Sequence, residues 1–230
     1  MALHESLRGR LRLPAICAPM FLVSGPDLVR EACKAGLVGA LPRQNARGVE
    51  QFEAWLTDIG TALDTHEQAT GRPRGPIAVN LATQMPPDEL EAHLGICERA
   101  GARIIISALG DPSALAARVH DWGGIVFHDV TTMRQAEKAI RAGVDGLTCI
   151  GSGGGGHSGA INLLVLVQAV RAIFDGVVIA AGAISTGEAI RALEVLGADL
   201  AYLGTRFIAT KESMAPEAYK AMIVSETSAG

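Results

Sequence analysis

The sequence predicts an α/β fold in which eight parallel strands, each followed by a helix, close into a (β/α)8 barrel, the TIM barrel. Short apolar runs alternate with longer amphipathic stretches along the chain, as expected for parallel strands joined by helical crossovers. Eight such runs fit within 230 residues, close to the usual size of this fold. Hydrophobic residues make up 49% of the chain and charged residues 19%, enough apolar material for one large core. We therefore expect residues 1–230 to form a single barrel domain.

The candidate strands are apolar runs of four or five residues, separated by the amphipathic stretches. They are Ala15–Ala18, Leu37–Leu41, Ile77–Leu81, Ile104–Ser107, Ile125–His128, Gly146–Ile150, Val177–Ala181 and Leu200–Leu203.

Helix-start signals fall between these runs. Pro26 suits the first turn of the first helix, and Pro112, after Asp111, suits the first turn of the fourth, because proline has the φ that a first turn needs. Two pairs have the spacing of a capping box and predict helix starts at about 133 and 186: Thr132 with Gln135, and Ser185 with Glu188.

A doubly wound open sheet is the competing architecture. Gly151, Gly153 and Gly156 match the spacing of a dinucleotide-binding fingerprint. However, the match lies in the sixth unit, and the next strand ends in Gly182 instead of the acidic residue that would bind a ribose. Asp175 precedes that strand, so it lies at the opposite end. The barrel is the better prediction.

A glycine run followed by a histidine comes directly after the sixth strand and marks the predicted active site. Residues 151–159 read GSGGGGHSG. Gly155 and Gly156 let the backbone approach a ligand closely, and His157 can exchange a proton near neutral pH. We interpret His157 as a general acid or base; the alternative is a loop histidine that only hydrogen bonds its surroundings.

Glycines also follow strands seven and eight, where barrels of this kind bind phosphate. Gly182, Gly204 and Thr205 are the candidates, since backbone amides at a glycine turn bind an anion without many lysines. The alternative is that each glycine only turns a strand into a helix. Three adjacent loops with glycines favour a shared ligand.

Other strand ends offer groups for the flat part of a cofactor. Ala18, Pro19 and Met20 form a rigid turn after the first strand. Asn80 is an amide in an apolar run that could bond a ring edge, or act as a turn former. His128 could face the mouth, the opening of the barrel at the C-terminal ends of the strands, and contact a cofactor ring there. Alternatively, it could form a structural pair with the adjacent aspartate.

Composition excludes several other classes of function. The net charge of −4 and the pI near 5.9 argue against nucleic acid or an anionic membrane as the main partner. The N-terminus lacks an apolar signal region and no stretch approaches a membrane span, so a cytoplasmic location is expected. No paired metal-ligand spacing occurs among the histidines, and we expect no metal. Four widely spaced cysteines indicate reduced, buried thiols: Cys17, Cys33, Cys97 and Cys149.

Taken together and in order, these motifs resemble the nitronate monooxygenases, formerly called 2-nitropropane dioxygenases. The resemblance extends from about residue 13 to 222. It depends on Ala18–Met20, Gly155–Gly159, Ala181–Gly182, Gly204–Phe207 and Ala209–Ser213.

The resemblance implies a TIM barrel that binds FMN without a covalent link and needs no metal. The flavin phosphate would lie near Gly182, Gly204 and Thr205, and the ring near Ala18–Met20 and Asn80. His157 matches the family's active-site histidine. The implied reaction is oxidative denitrification of a nitronate, or of a nitroalkane, by dioxygen to a carbonyl compound and nitrite.

Two departures from the family shape the expected function. Residues 107–112 read SALGDP where relatives that act on neutral nitroalkanes have an aromatic-containing motif, so a nitronate is the expected substrate. Family members usually continue beyond the barrel with a helical segment, whereas this sequence ends at Gly230. The alternatives are a flavin-dependent enoyl-acyl-carrier-protein reductase and a flavin- or phosphate-binding barrel without catalysis. Oligomeric state and physiological substrate stay open.

Overall fold

The computed structural model describes residues 7–156 and 158–226 and shows a closed barrel of eight parallel strands. Each strand pairs with its neighbour in chain order, and β8 closes on β1 through Ile16 and Tyr202. The barrel prediction is confirmed, and the open doubly wound sheet is excluded. The strands are β1 Ala15–Cys17, β2 Val38–Pro42, β3 Ile77–Ala82, β4 Ile104–Ala108, β5 Ile125–Val130, β6 Gly146–Ile150, β7 Val177–Ala181 and β8 Leu200–Leu203.

Helices surround the barrel, and a short 3-10 turn spans Arg43–Asn45. They are α1 Pro26–Lys34, α2 Val49–Thr70, α3 Pro87–Arg99, α4 Ser113–His120, α5 Met133–Arg141, α6 Leu163–Arg171, α7 Gly187–Val195, α8 Thr205–Ile208 and α9 Glu217–Ser225. Within the described ranges, none of these helices combines the length and apolar character needed to cross a membrane.

Alternate residues of the strands fill the barrel interior. Ile16, Ile106, Phe127 and Ile179 belong to one buried cluster. Gly146 makes room for the phenylalanine ring, since a Cβ there would lie 2.5 Å from Phe127 Cδ1. Leu7, fully buried, packs in the same cluster ahead of β1. We infer that the segment before β1 closes the end opposite the strand C-termini, so the interior opens towards the loops that follow the strands.

The other strand face packs against the helices in a second, larger cluster. Helix α1 lies so close to β2 that a Cβ on Gly39 would lie 2.5 Å from the Val29 carbonyl oxygen. All four cysteines are buried and unpaired, as the sequence predicts. Burial raises the pKa of each thiol, in Cys97 and Cys149 to about 12.

Helix starts agree with the sequence in part. Pro26 opens α1. Thr132 and Gln135 form the predicted capping box at α5. The cap of α7, however, is Thr186 and not Ser185: the Thr186 side chain accepts from the Ala189 amide, and the helix begins at 187. The Ser185 carbonyl instead accepts a hydrogen bond from Arg206.

The fourth helix also begins one residue later than predicted. Pro112 is the residue before α4 and does not lie in its first turn. Asp111 accepts hydrogen bonds from the Ser113 amide at 3.0 Å and from the Ser113 hydroxyl. The Asp111 side chain therefore does the capping that the proline cannot do.

Two aspartates fix the N-terminal end of the barrel. Asp199, before β8, accepts from the Val178 amide at 2.9 Å and pairs with Arg171. Asp145, before β6, accepts from the Val126 amide and from His120, each at 2.8 Å. Each carboxylate caps a neighbouring strand, so these residues have a structural role at the end of the barrel away from the predicted site.

Candidate active site

The loop after β1 is held in one conformation by buried and partly buried hydrogen bonds. The Met20 amide donates to Ser24 Oγ at 3.0 Å, and Ser24 Oγ donates to the Ala18 carbonyl at 3.2 Å. Asn45 Nδ2 donates to the Met20 carbonyl at 3.0 Å. Ala18 is buried, whereas Pro19 and Met20 remain partly exposed. The turn that the sequence predicts is rigid, and sequence reasoning missed Ser24 and Asn45, which make it so.

The loop after β8 lies beside this turn. A Cβ on Gly204 would lie 3.4 Å from Met20 Sδ, so the methionine side chain reaches the eighth strand end. Thr205 is exposed and begins the short helix α8. Arg206 Nε donates to the Ser185 carbonyl at 2.9 Å, which ties this loop to the loop after β7.

The loops after β6 and β7 touch through their backbones. The Ala183 amide donates to the Gly153 carbonyl at 3.1 Å, and the Gly151 amide donates to the Ala181 carbonyl at 3.1 Å. Gly182 has a φ of +132°, and a Cβ there would lie 2.9 Å from the Gly154 nitrogen. Only glycine fits this position, because a side chain would be both strained and in contact with backbone.

Beyond this contact, the glycine run opens to solvent. Gly155 and Gly156 are exposed, and no described atom lies within 4 Å of where a Cβ would stand on either. Gly156 has a φ of +70°, and its carbonyl accepts from the Ser158 amide at 2.9 Å. His157, the predicted acid or base, lies outside the described residues.

Asn80 lies on the interior face of β3, in alternation with the buried Ala78. Its side-chain nitrogen donates to the Ile106 carbonyl on β4 at 3.2 Å. The residue is partly exposed near the C-terminal end of its strand. The structure thus places Asn80 at the mouth, as its position in the sequence predicts.

His128 is on the other face of its strand. Its neighbours in alternation, Val126 and Val130, belong to the cluster between strands and helices, and the imidazole Nδ1 lies 2.8 Å from Ser107 Oγ. Burial lowers the pKa of this histidine, which favours the neutral ring. The structure does not bring His128 to the mouth, and its partner is a serine and not the adjacent aspartate.

Asp129, and not His128, lies on the interior face of β5. It follows Phe127 in alternation, and it pairs in register with Thr148 on β6. Tyr202 on β8 packs against the interior cluster. The signal that could have identified Asp129 is the period of two along β5, which places a carboxylate inside an apolar barrel.

The mouth therefore brings together the ends of β1, β3, β6, β7 and β8. Among residues 7–156 and 158–226, no group of three or more His, Cys, Asp and Glu side chains could hold a metal ion. Backbone groups and small side chains dominate the loops. Such a surface suits a large, flat ligand with an anionic end, because the glycines allow close approach and their amides can face the anion.

Comparison with known proteins identifies the family. A family model described as nitronate monooxygenase matches residues 44–230. The nitronate monooxygenase of Pseudomonas aeruginosa is 35% identical over 256 aligned positions that cover 91% of this chain and 70% of that protein. The chain belongs to the nitronate monooxygenase family. Its relatives carry enzyme names, so membership places it in a family of enzymes.

Other relatives show that the family fold serves more than one reaction. A protein from Rhodococcus jostii named as a hydroxy-methyl-oxo-octahydro-indene-carboxyl-CoA dehydrogenase is 27% identical over 207 aligned positions, covering 90% of this chain and 55% of that protein. The solved structure of FabK from Thermotoga maritima superposes with a TM-score of 0.77 at 27% identity, covering 94% of this chain and 66% of that one. The chain thus spans little more than half the length of the first of these relatives.

Proposed function

We propose that the chain is a flavin-dependent oxidoreductase that binds FMN across the barrel mouth and oxidises alkyl nitronates with dioxygen to carbonyl compounds and nitrite. Family membership supports the class of reaction. The structural observation behind the proposal is the place where the loops after β6 and β7 meet. Their backbones are hydrogen bonded there, and Gly155 and Gly156 beside this contact leave open space for a ligand; we call this place the cradle.

The residues at the mouth fit FMN in size and chemistry. The phosphate would be held by backbone amides at Gly182, after β7, and at Gly204 and Thr205, after β8. The Arg206 side chain ties these two turns together, and the β6–β7 backbone contact fixes the first of them. The exposed Arg206 adds a positive charge beside these turns. The ring would pack against Pro19 and Met20, whose loop is already ordered, so little conformational entropy is lost on binding.

FMN, when bound, supplies the redox chemistry, and the chain's residues would bind, orient and exchange protons. Asn80 would hydrogen bond the ring edge. His157 would hold or remove a proton at the substrate, in a loop that glycines leave uncrowded. A nitronate has already lost the proton that a nitroalkane still carries. We therefore propose nitronate as the substrate: His157 would then hold its proton beside the nitronate oxygens and would not need to remove a proton from carbon.

The test is turnover of an alkyl nitronate by FMN-loaded protein, followed as oxygen uptake and nitrite release. His157→Ala should lose turnover while retaining FMN, and His66→Ala, in helix α2 away from the mouth, is the matched control. Equal turnover in His157→Ala and the parent would remove His157 from the mechanism. FMN binding without turnover of nitronate or nitroalkane would refute the proposed reaction.

A second candidate is redox chemistry on an acyl thioester, as in the enoyl reductase alternative. The name of the Rhodococcus relative favours it. So does a groove of about 800 Å³ between the loop after β4 and helix α5, whose lining includes Arg134, Arg141 and Lys138, the last of these paired with Asp111. Its basic side chains suit the phosphates of a thioester carrier. Consumption of NADH with an enoyl thioester, without nitronate turnover, would favour this candidate.

A further inference from the structure

Three polar side chains share the interior of the barrel near its mouth, and the proposed mechanism uses none of them. Asp129 follows Phe127 on the interior face of β5. Thr148 is its partner in register on β6 and follows the interior Gly146. Tyr202 packs against the same interior cluster and interacts electrostatically with Asp129. The three therefore lie together at the mouth end of the barrel, above the apolar interior cluster.

These side chains have unmatched hydrogen-bonding groups. The Thr148 hydroxyl interacts with the Asp129 carboxyl group and favours its charged form. Within the described part of the chain, no other group meets Asp129 Oδ1 or Thr148 Oγ1, and both atoms are buried. An unpaired buried carboxyl oxygen is costly, and native proteins rarely retain one unless something else satisfies it. Asp129 nevertheless keeps part of its surface accessible. Because the far end of the barrel is closed, that access comes from the mouth.

No cation compensates the carboxylate from the surrounding strands. The interior positions next to the mouth are Ala18, Pro42, Asn80, Ala108, Thr148, Ile150, Ala181 and Tyr202. Among these described positions only Tyr202 is titratable, and burial raises its pKa, so it stays neutral. Burial also raises the pKa of Asp129 to about 7, and the nearby Thr148 hydroxyl offsets only part of this rise. His128 and its Ser107 partner face the other side of the sheet.

We propose that Asp129 is a flavin-contacting acid–base residue: its carboxyl group hydrogen bonds the isoalloxazine edge from inside the barrel and takes up or releases a proton there. This inference rests on the proposed FMN site. The ring edge offers an N–H donor as well as carbonyl and ring-nitrogen acceptors, so a carboxyl that either accepts or donates is matched to it. Thr148 and Tyr202 act as positioning residues beside the carboxyl group.

The experiment is an infrared pH titration of the protein with and without FMN, which does not depend on turnover. The carbonyl stretch of a protonated carboxyl group is followed from pH 5 to 9 in the parent protein and in Asp129→Asn. Asp121→Asn, an exposed aspartate at the end of α4, is the control. Thr148→Val supplies a second variant that leaves the carboxyl group in place.

We expect a band that titrates near neutral pH in the parent and in Asp121→Asn, is absent in Asp129→Asn, and moves its midpoint when FMN is added. Thr148→Val should shift the midpoint upwards. FMN should also bind Asp129→Asn with an affinity that differs about tenfold from the parent at pH 8 and converges at pH 5.5, where the carboxyl group is neutral.

Two results would overturn the inference while leaving the proposed function intact. One is the absence of any such band in a parent protein that binds FMN. The other is a midpoint that FMN does not move. A parent protein that takes up no FMN would instead refute the proposed function itself, so the two failures are distinguishable.

Discussion

Replacing Gly182 by alanine tests whether the contact between the loops after β6 and β7 builds the cofactor cradle. The new Cβ would lie 2.9 Å from the Gly154 nitrogen and 3.1 Å from the Gly153 carbonyl carbon. These are backbone atoms, so the loop itself must move. The φ of +132° adds strain that glycine does not have.

The magnitude follows from these two terms. Backbone strain of this kind costs about 1–3 kcal/mol and overpacking a further 1–3 kcal/mol, so the free energy of unfolding should fall by about 2–6 kcal/mol. For a domain of this size, the fall corresponds to a Tm lower by at least about 4 °C. Displacing the Gly153–Gly154 segment should also weaken FMN binding, by about tenfold or more.

The assay is thermal unfolding of the FMN-free protein, followed by circular dichroism, together with FMN titration by fluorescence. Gly187→Ala is the control, because Gly187 is exposed in the first turn of α7 with no described atom within 4 Å of its Cβ position. This control should leave Tm unchanged or slightly raised. A Gly182→Ala protein with the Tm and FMN affinity of the parent would refute the reasoning.

Three further predictions use other parts of the structure. Gly155→Ala should keep the parent Tm but weaken FMN binding about tenfold in a fluorescence titration, because its methyl group enters open space that we assign to the cofactor; unchanged affinity would remove Gly155 from the site. Thr132→Ala should lower the free energy of unfolding in urea by about 1 kcal/mol by breaking the α5 capping box, and Thr132→Ser should not. Asp129→Asn should change how stability depends on pH. The folded-state pKa of Asp129, about 7, lies above its usual 3.8. The stabilisation of the parent protein by neutral Asp129 is therefore fully present below about pH 4, and this stabilisation, a few kcal/mol, is lost as pH rises through 7. Measured by urea unfolding, the free energy of unfolding should fall less between pH 5 and pH 8 in Asp129→Asn than in the parent. Equal falls in the two proteins would contradict the raised pKa.

The strands were predictable because their apolar runs are short, separate and bounded by turn residues. Each observed strand lies within two residues of its predicted bounds at either end. The largest error is in β5, which continues to Val130 and not only to His128. That extension matters, because it gives Asp129 a position on the interior face that a loop residue would not have.

Local patterns could not decide between overlapping signals. Ser185 and Thr186 are adjacent hydroxyl residues, and either could cap α7. In the folded chain Thr186 provides the cap, and the Ser185 carbonyl accepts a hydrogen bond from Arg206, which is twenty-one residues away along the chain. Similarly, Ser24 and Asn45 look like ordinary turn residues, and only the fold brings them to the loop after β1.

The central claim is tested most directly by the visible absorption spectrum of the purified protein, followed by mass identification of any chromophore released on denaturation. A flavin site at the barrel mouth predicts the absorption bands of an oxidised flavin in the purified protein, or in the protein after FMN is added and unbound FMN is removed. It also predicts that FMN is released on unfolding. A colourless, folded protein that takes up no added FMN would contradict it.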